Sequence, residues 1–249
     1  GEVYKLKGPI ALAPQHEHHP VFAYRPSADS PWSSAELPAP SCQIDKSAPL
    51  RSMEEFKDKW QVLNRLEKIA QERNINPSFF AGLVAALSGL DPLVVGGSKE
   101  LGATQLGLAQ ASQVQAGRPH WPRSRTVDNM NPLALKLMVR LGKIDGQQDW
   151  RLDEEKSLIG GAEYLLKVQE FWALGENQEA FSQVFGPMSS ASQEYTDLLA
   201  ASYVAGGPRV LEALRTLGKR WSSGEQMKDA RRIVARARSY CAQFSLEAP

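Results

Sequence analysis

Residues 77–106 read PSFFAGLVAALSGLDPLVVGGSKELGATQL, and this stretch decides the fold class. Asn76 before Pro77 is a helix start: the Asn side chain can accept an orphan N–H, and Pro at the first helical position gives up no hydrogen bond. The run 79–87 is apolar on every side, which predicts a buried helix. It is far short of the roughly 20 residues needed to span a bilayer. Gly89 and Asp91-Pro92 stop it.

Working outward, the same period continues. Ser52 and Glu55 have the spacing of a capping box, and Phe56, Trp60, Leu63, Leu66, Ile69 and Ala70 follow as one amphipathic helix. Further helices are expected over about 103–116, 132–142, 153–174, 191–205, 208–218 and 225–244, with Gly or Pro at the joints. In the last, Met227, Ala230, Ile233, Val234, Ala237, Cys241 and Phe244 line one side. Alternating β-branched runs are almost absent, so residues 52–245 read as a mainly α domain. Residues 1–51 differ in kind. Eight of the 16 prolines fall within residues 1–50, which predicts an extended, Pro-rich, non-helical N-terminal arm.

With 249 residues, 42% of them hydrophobic, the chain can bury a sizeable core and is not wholly disordered. A net charge of +1 argues against a polyanion-coating protein. The charge is unevenly spread. Residues 208–238 hold nine Lys or Arg against Glu212, Glu225 and Asp229, while Asp145, Asp149, Asp153, Glu154 and Glu155 form an acidic run. Few aromatics interleave with the basic residues, so no specific nucleic-acid site is expected. The start, GEVYKLKGPIALAP, lacks a signal-peptide pattern. Cys42 and Cys241 are too far apart in sequence for a CxxC site; whether they pair is open at this point.

Three segments, in order, resemble the helical lysozyme-like domain of soluble lytic transglycosylases. The opening stretch is similar to that family's apolar helix, E-S-G-F-x-P, a loop with Ser, and G-A-x-G-L-M-Q. Residues 153–171, DEEKSLIGGAEYLLKVQEF, are similar to D-x-x-x-N-I-x-x-G-x-x-Y-L. Residues 198–214, LLAASYVAGGPRVLEAL, are close to A-x-A-Y-N-A-G-x-G-x-V. The resemblance spans most of 76–243. It implies a lysozyme-like fold, preceded by the arm, and a cleft lined by Ser88, Ser98, Gln105, Leu108, Tyr164, Tyr203 and Val204. The matching framework residues are Gly102, Ala103, Leu106, Gly161, Tyr164, Leu165, Ala205 and Gly206.

The departures are chemical. The family's Glu is its single general acid and base; the matching residue here is Leu87, which carries no titratable proton. The terminal Gln of the first motif matches Leu108, and the Gly before it matches Gln105. The Asn of Y-N-A-G matches Val204, and the Asn of N-I matches Ser157. Glu100, in a loop one residue longer than the family's, is the alternative acid, with Asp91 nearby; beside Lys99 a solvated or paired carboxylate is expected. The resemblance thus implies a pseudoenzyme rather than an enzyme. It would be a structural or interaction module, or a peptidoglycan-binding one, in a cell-envelope or periplasmic machine or a bacteriophage virion. An active transglycosylase with a relocated acid is the alternative.

Other constellations are weaker. His16, Glu17, His18 and His19 are read as polar arm residues, not a metal site. Residues 115–132, with Arg118, Trp121, Arg123 and Arg125, read as a long surface loop inserted beside the cleft. No G-x-S-x-G occurs. No cofactor and no metal is called for. Partner proteins are expected to use residues 1–51 and the basic region 208–238.

Overall fold

The computed structural model describes residues 21–24, 33–36, 42, 49–51 and 53–245. The chain divides into two compact units, Gly1–Pro40 and Ser41–Pro249. In the first, β1 (Val21–Tyr24) and β2 (Ser33–Glu36) pair antiparallel, Val21 opposite Glu36 and Tyr24 opposite Ser33. The remainder of the expected arm to Pro40, with His16, Glu17, His18 and His19, lies outside the described residues. Leu50 and Arg51 belong to the second unit, held by Leu50 N donating to Glu67 Oε1 at 3.2 Å and Arg51 N to the Phe244 carbonyl at 3.1 Å.

The second unit is mainly helical: α1 (Trp60–Glu72), α2 (Pro77–Ser88), α3 (Leu108–Gln115), α4 (Arg125–Asn129), α5 (Pro132–Arg140), α6 (Glu154–Ala173), α7 (Gly175–Phe185), α8 (Gln193–Ala205), α9 (Gly207–Leu217) and α10 (Lys228–Ser245). Local chemistry starts several of them. Asn76 Oδ1 accepts Phe79 N at 3.0 Å and Asn131 Oδ1 accepts Leu133 N at 2.9 Å, each ahead of a Pro. Ser192 Oγ accepts Tyr195 N at 3.1 Å. Helix α2 is buried from Pro77 through Ala86 and packs on α1 and α10. At its crossing with α10, a Cβ on Gly82 would fall 2.6 Å from the Ala237 carbonyl oxygen and 2.7 Å from Cys241 N. Cys241 is disulfide-bonded to Cys42 with the Cα atoms 5.7 Å apart.

Several boundaries differ from expectation. The first helix opens as a 3-10 segment, Glu54–Lys59, because Phe56 (φ −119°, ψ 22°) leaves helical geometry to stack on Phe244 and meet Tyr240 edge-on. Trp60, expected inward, is 57% exposed. The helix expected from 103 begins at Leu108, since Gly102 (φ 77°) and Gln105 (φ 50°) are left-handed. Helix α10 is preceded by a 3-10 turn, Glu225–Met227. Helix α7 lies in a stretch with no expected helix. Leu174 breaks the chain out of α6, and Asn177 Nδ2 donates to the Phe171 carbonyl at 2.7 Å to fix the restart.

Residues 115–132 are not a bare surface loop. Trp121 is buried against Trp150, with ring centroids 5.0 Å apart, and Arg118 lies over Trp121 while pairing with Glu163. Val127 from α4 joins Val95, Leu101, Leu135, Val139, Ile144 and Leu152 in a second apolar cluster, apart from the main core. Among the described residues no helix is long and apolar enough to cross a membrane.

Candidate functional site

The segment after α2 carries most of the expected site. Ser88 Oγ donates back to the Val84 carbonyl at 3.1 Å, and Gly89 (φ 66°) and Leu90 (φ 62°) turn the chain out of the helix. Residues 94–106 then fold back on themselves. Bridges join Val95 to Leu101 and Leu101 to Leu106, and Gly96 N donates to the Glu100 carbonyl at 2.8 Å. The Gln105 side chain pins this loop, its Nε2 donating to Val94 O at 3.0 Å and Gly102 O at 2.8 Å.

Glu100 lies on the same loop. Its Oε2 accepts Ser98 N at 2.9 Å, and a Cβ on Gly96 would strike that carboxylate and fall 2.9 Å from Gln105 Oε1. Lys99 does not neutralise it; its ammonium donates instead to the Asp128 carbonyl at 2.8 Å. Leu87 is partly buried at the end of α2, where it and Val204 pack on the edge of the main core. Leu108 is partly buried at the first position of α3.

Three distant segments meet at Thr104. Its N–H donates to Ser157 Oγ at 3.4 Å and its hydroxyl to the Ser157 carbonyl at 3.0 Å. Tyr203 donates its hydroxyl to the Thr104 carbonyl at 3.1 Å, and Tyr164 packs edge-on to Tyr203 with ring centroids 5.1 Å apart. A Cβ on Gly161 would fall 2.6 Å from the Thr104 Cβ, and one on Gly102 would meet Ser157 Oγ at 2.8 Å and the Arg151 carbonyl. Both tyrosines are buried. Burial raises the Tyr164 phenol above its ordinary value and pushes Tyr203 up strongly, despite the Thr104 hydrogen bond. They brace the loop rather than present an acid or base.

A second assembly was hidden in the sequence. Arg151 is 1% exposed and grips the fully buried Asp149, Nε to Oδ1 at 2.9 Å and Nη2 to Oδ2 at 2.7 Å. The same Nη2 reaches Asp128 Oδ1 at 3.0 Å, and Arg123 Nε holds Asp128 Oδ2 at 3.0 Å. Asp149, read as part of an acidic run, is therefore the internal counter-ion of Arg151, whose guanidinium links Asp128 of the 115–132 insertion to the Leu106 carbonyl of the loop. The available signal was Trp150 between Asp149 and Arg151: a large apolar side chain there requires the segment to go inward.

Chemically, the loop offers one carboxylate, Glu100, one side-chain amide, Gln105, and backbone groups; Leu87, Leu108 and Val204 are aliphatic, as the sequence reads. No cluster of three or more His, Cys, Asp or Glu suited to a metal ion occurs among the described residues. Neither a family model, nor a curated protein, nor a solved structure matches the chain.

Proposed function

We propose that the helical unit is a lysozyme-like, lytic-transglycosylase-like module that has lost its catalytic glutamate and serves as a structural or interaction element or, second to that, as a peptidoglycan-binding one. The observation that carries this reading is the convergence on Thr104: the three segments that resemble the family contribute Thr104 itself, Ser157 with Gly161, and Tyr203. Gln105 adds to it. It holds a left-handed φ of 50° at the position where the family's motif has Gly, so the backbone there suits the motif although the residue does not.

Framework and chemistry have separated in this loop. Leu87 supplies no proton where the family's acid stands, and Leu108 and Val204 remove amides that would bind sugar hydroxyls. The Cys42–Cys241 bond suits an oxidising compartment, as an envelope or virion assembly offers. The rival residue is Glu100, whose carboxylate sits beside Gln105 on the loop.

Zymography on purified peptidoglycan separates the two. The expected result is no clearing by the wild-type chain. A cleared band with anhydromuramyl products that disappears in Glu100→Gln would establish a relocated acid and end the pseudoenzyme reading. Sedimentation with insoluble peptidoglycan then distinguishes glycan binding from pure scaffolding.

A further inference from the structure

Helix α5 has two apolar faces. Leu135 and Val139 point into the second cluster. Four-residue steps advance only about 40° around a helix, so Leu133, Leu137 and the closing Leu141 form one row on the opposite side. They are 77%, 57% and 60% exposed. A surface helix that is apolar on both sides has an outer face that calls for a cover. Leu93, 50% exposed on the turn before Val95 of the same cluster, adds another projecting apolar side chain.

The charges beside this row have one sign. Lys136, Arg140 and Lys143 are exposed, and residues 132–144 contain no Asp or Glu. None of the three cations makes an ion pair among the described residues. Pairing α5 with its own copy would set cations against cations, so a second molecule of this chain is a poor cover. Composition and charge together favour a lipid cover over a protein one. Protein interfaces are enriched in aromatic residues and depleted in Lys at their centres. This face has Leu, Lys and Arg with no acid among them, so its charge complements an anionic lipid surface, with the leucines at the headgroup boundary and the cationic stems reaching back to the phosphates.

We propose that α5 is a membrane-surface contact, docking on an anionic bilayer with Leu133, Leu137 and Leu141 inserted at the headgroup boundary and Lys136, Arg140 and Lys143 on lipid phosphates. The inference is independent of whether the unit binds or cleaves glycan.

The test is co-sedimentation of the full, disulfide-intact chain with phosphatidylcholine vesicles with and without phosphatidylglycerol. The chain is expected to sediment with the anionic vesicles, less so at high salt, and not with pure phosphatidylcholine. Leu137→Ser should weaken that binding about tenfold or more, the value of one withdrawn leucine. The double variant Lys136→Gln, Arg140→Gln should weaken it too while leaving the apolar row intact; both changes are at exposed positions, and an unchanged near-ultraviolet circular dichroism spectrum verifies folding. The double variant Arg209→Gln, Arg215→Gln, in the basic region of α9, should bind as wild type. The proposal fails if wild type ignores anionic vesicles, if Leu137→Ser binds as well as wild type, or if only the α9 variant loses binding. It also fails if a cross-linker at Leu137 captures a protein partner while vesicles are not bound.

Discussion

The Asp153 carboxylate accepts the Lys156 N–H at 2.9 Å and the Lys156 ammonium at 2.8 Å, so one side chain caps α6 and pairs within its first turn. Burial pushes its pKa up, but the hydrogen bonds and charge of Lys156 outweigh this and hold it below the ordinary 3.8. A carboxyl lowered in the fold contributes stability above its unfolded pKa and loses it as the pH falls through the folded one. Asp153→Ala should therefore cost about 1 kcal/mol near neutral pH, with the gap from wild type closing as the pH drops below the ordinary aspartate value. Asp153→Asn, which keeps an acceptor for the N–H but loses the charge that pairs with the Lys156 ammonium, should recover only part of the loss. Urea midpoints measured across the acid range check this. A gap that does not change between neutral and strongly acid conditions would show that the ionised cap is not the source.

At the scale of elements, α2 and α10 cross with their backbones in close approach at Gly82. A methyl group on Gly82 would meet backbone atoms of Ala237 and Cys241, which cannot swing aside as a side chain can. Gly82→Ala should cost about 3 kcal/mol by forcing the helices apart, whereas Gly97→Ala, exposed with nothing within 4 Å of its Cβ, should stay within about 0.5 kcal/mol. Equal urea midpoints for the two variants would contradict the close packing. The buried helix itself was legible in its Asn-Pro start and continuous apolar run. Gly161, which lets α6 approach Thr104, was legible only as a framework residue of the resemblance. Phe56 was readable as a core residue but not as a kink, since the ring's stacking on Phe244 depends on a helix almost 190 residues away. Helix α7 was missed because Gly at its first position and Leu174 before it give no side-chain cap. The role of Asp149 was invisible for a related reason: a carboxylate in an acidic run reads as solvated until the Arg that buries it is located. Leu87 stands differently, for its importance rests on what a resemblance led one to expect at the end of α2.

For the whole helical unit, the Cys42–Cys241 bond sets the longest constraint. It joins a residue near the unit's start to its last helix, across a sequence separation of 199. Both cysteines are buried, and Cys42 N also donates to Gln193 Oε1 at 2.6 Å, whose amide donates to Asp197 Oδ1 at 2.8 Å. Asp197 in turn pairs with Arg238 of α10. Native contacts therefore hold residue 42 against α8 and α10 even without the covalent link, and the main effect of the link falls on the unfolded chain. Closing a loop of this length removes chain entropy worth about 5 kcal/mol at 25 °C. Cys42→Ala should thus lower stability by about 5 kcal/mol, and adding Cys241→Ala should cost little more, because the first change has already opened the loop. Reductant should bring the wild-type chain close to the single variant and leave both variants unmoved. Urea unfolding of the three proteins, each with and without reductant, measures every leg of that comparison. A reduced wild-type chain as stable as the oxidised one would show that the bond does not stabilise the fold by constraining the unfolded chain.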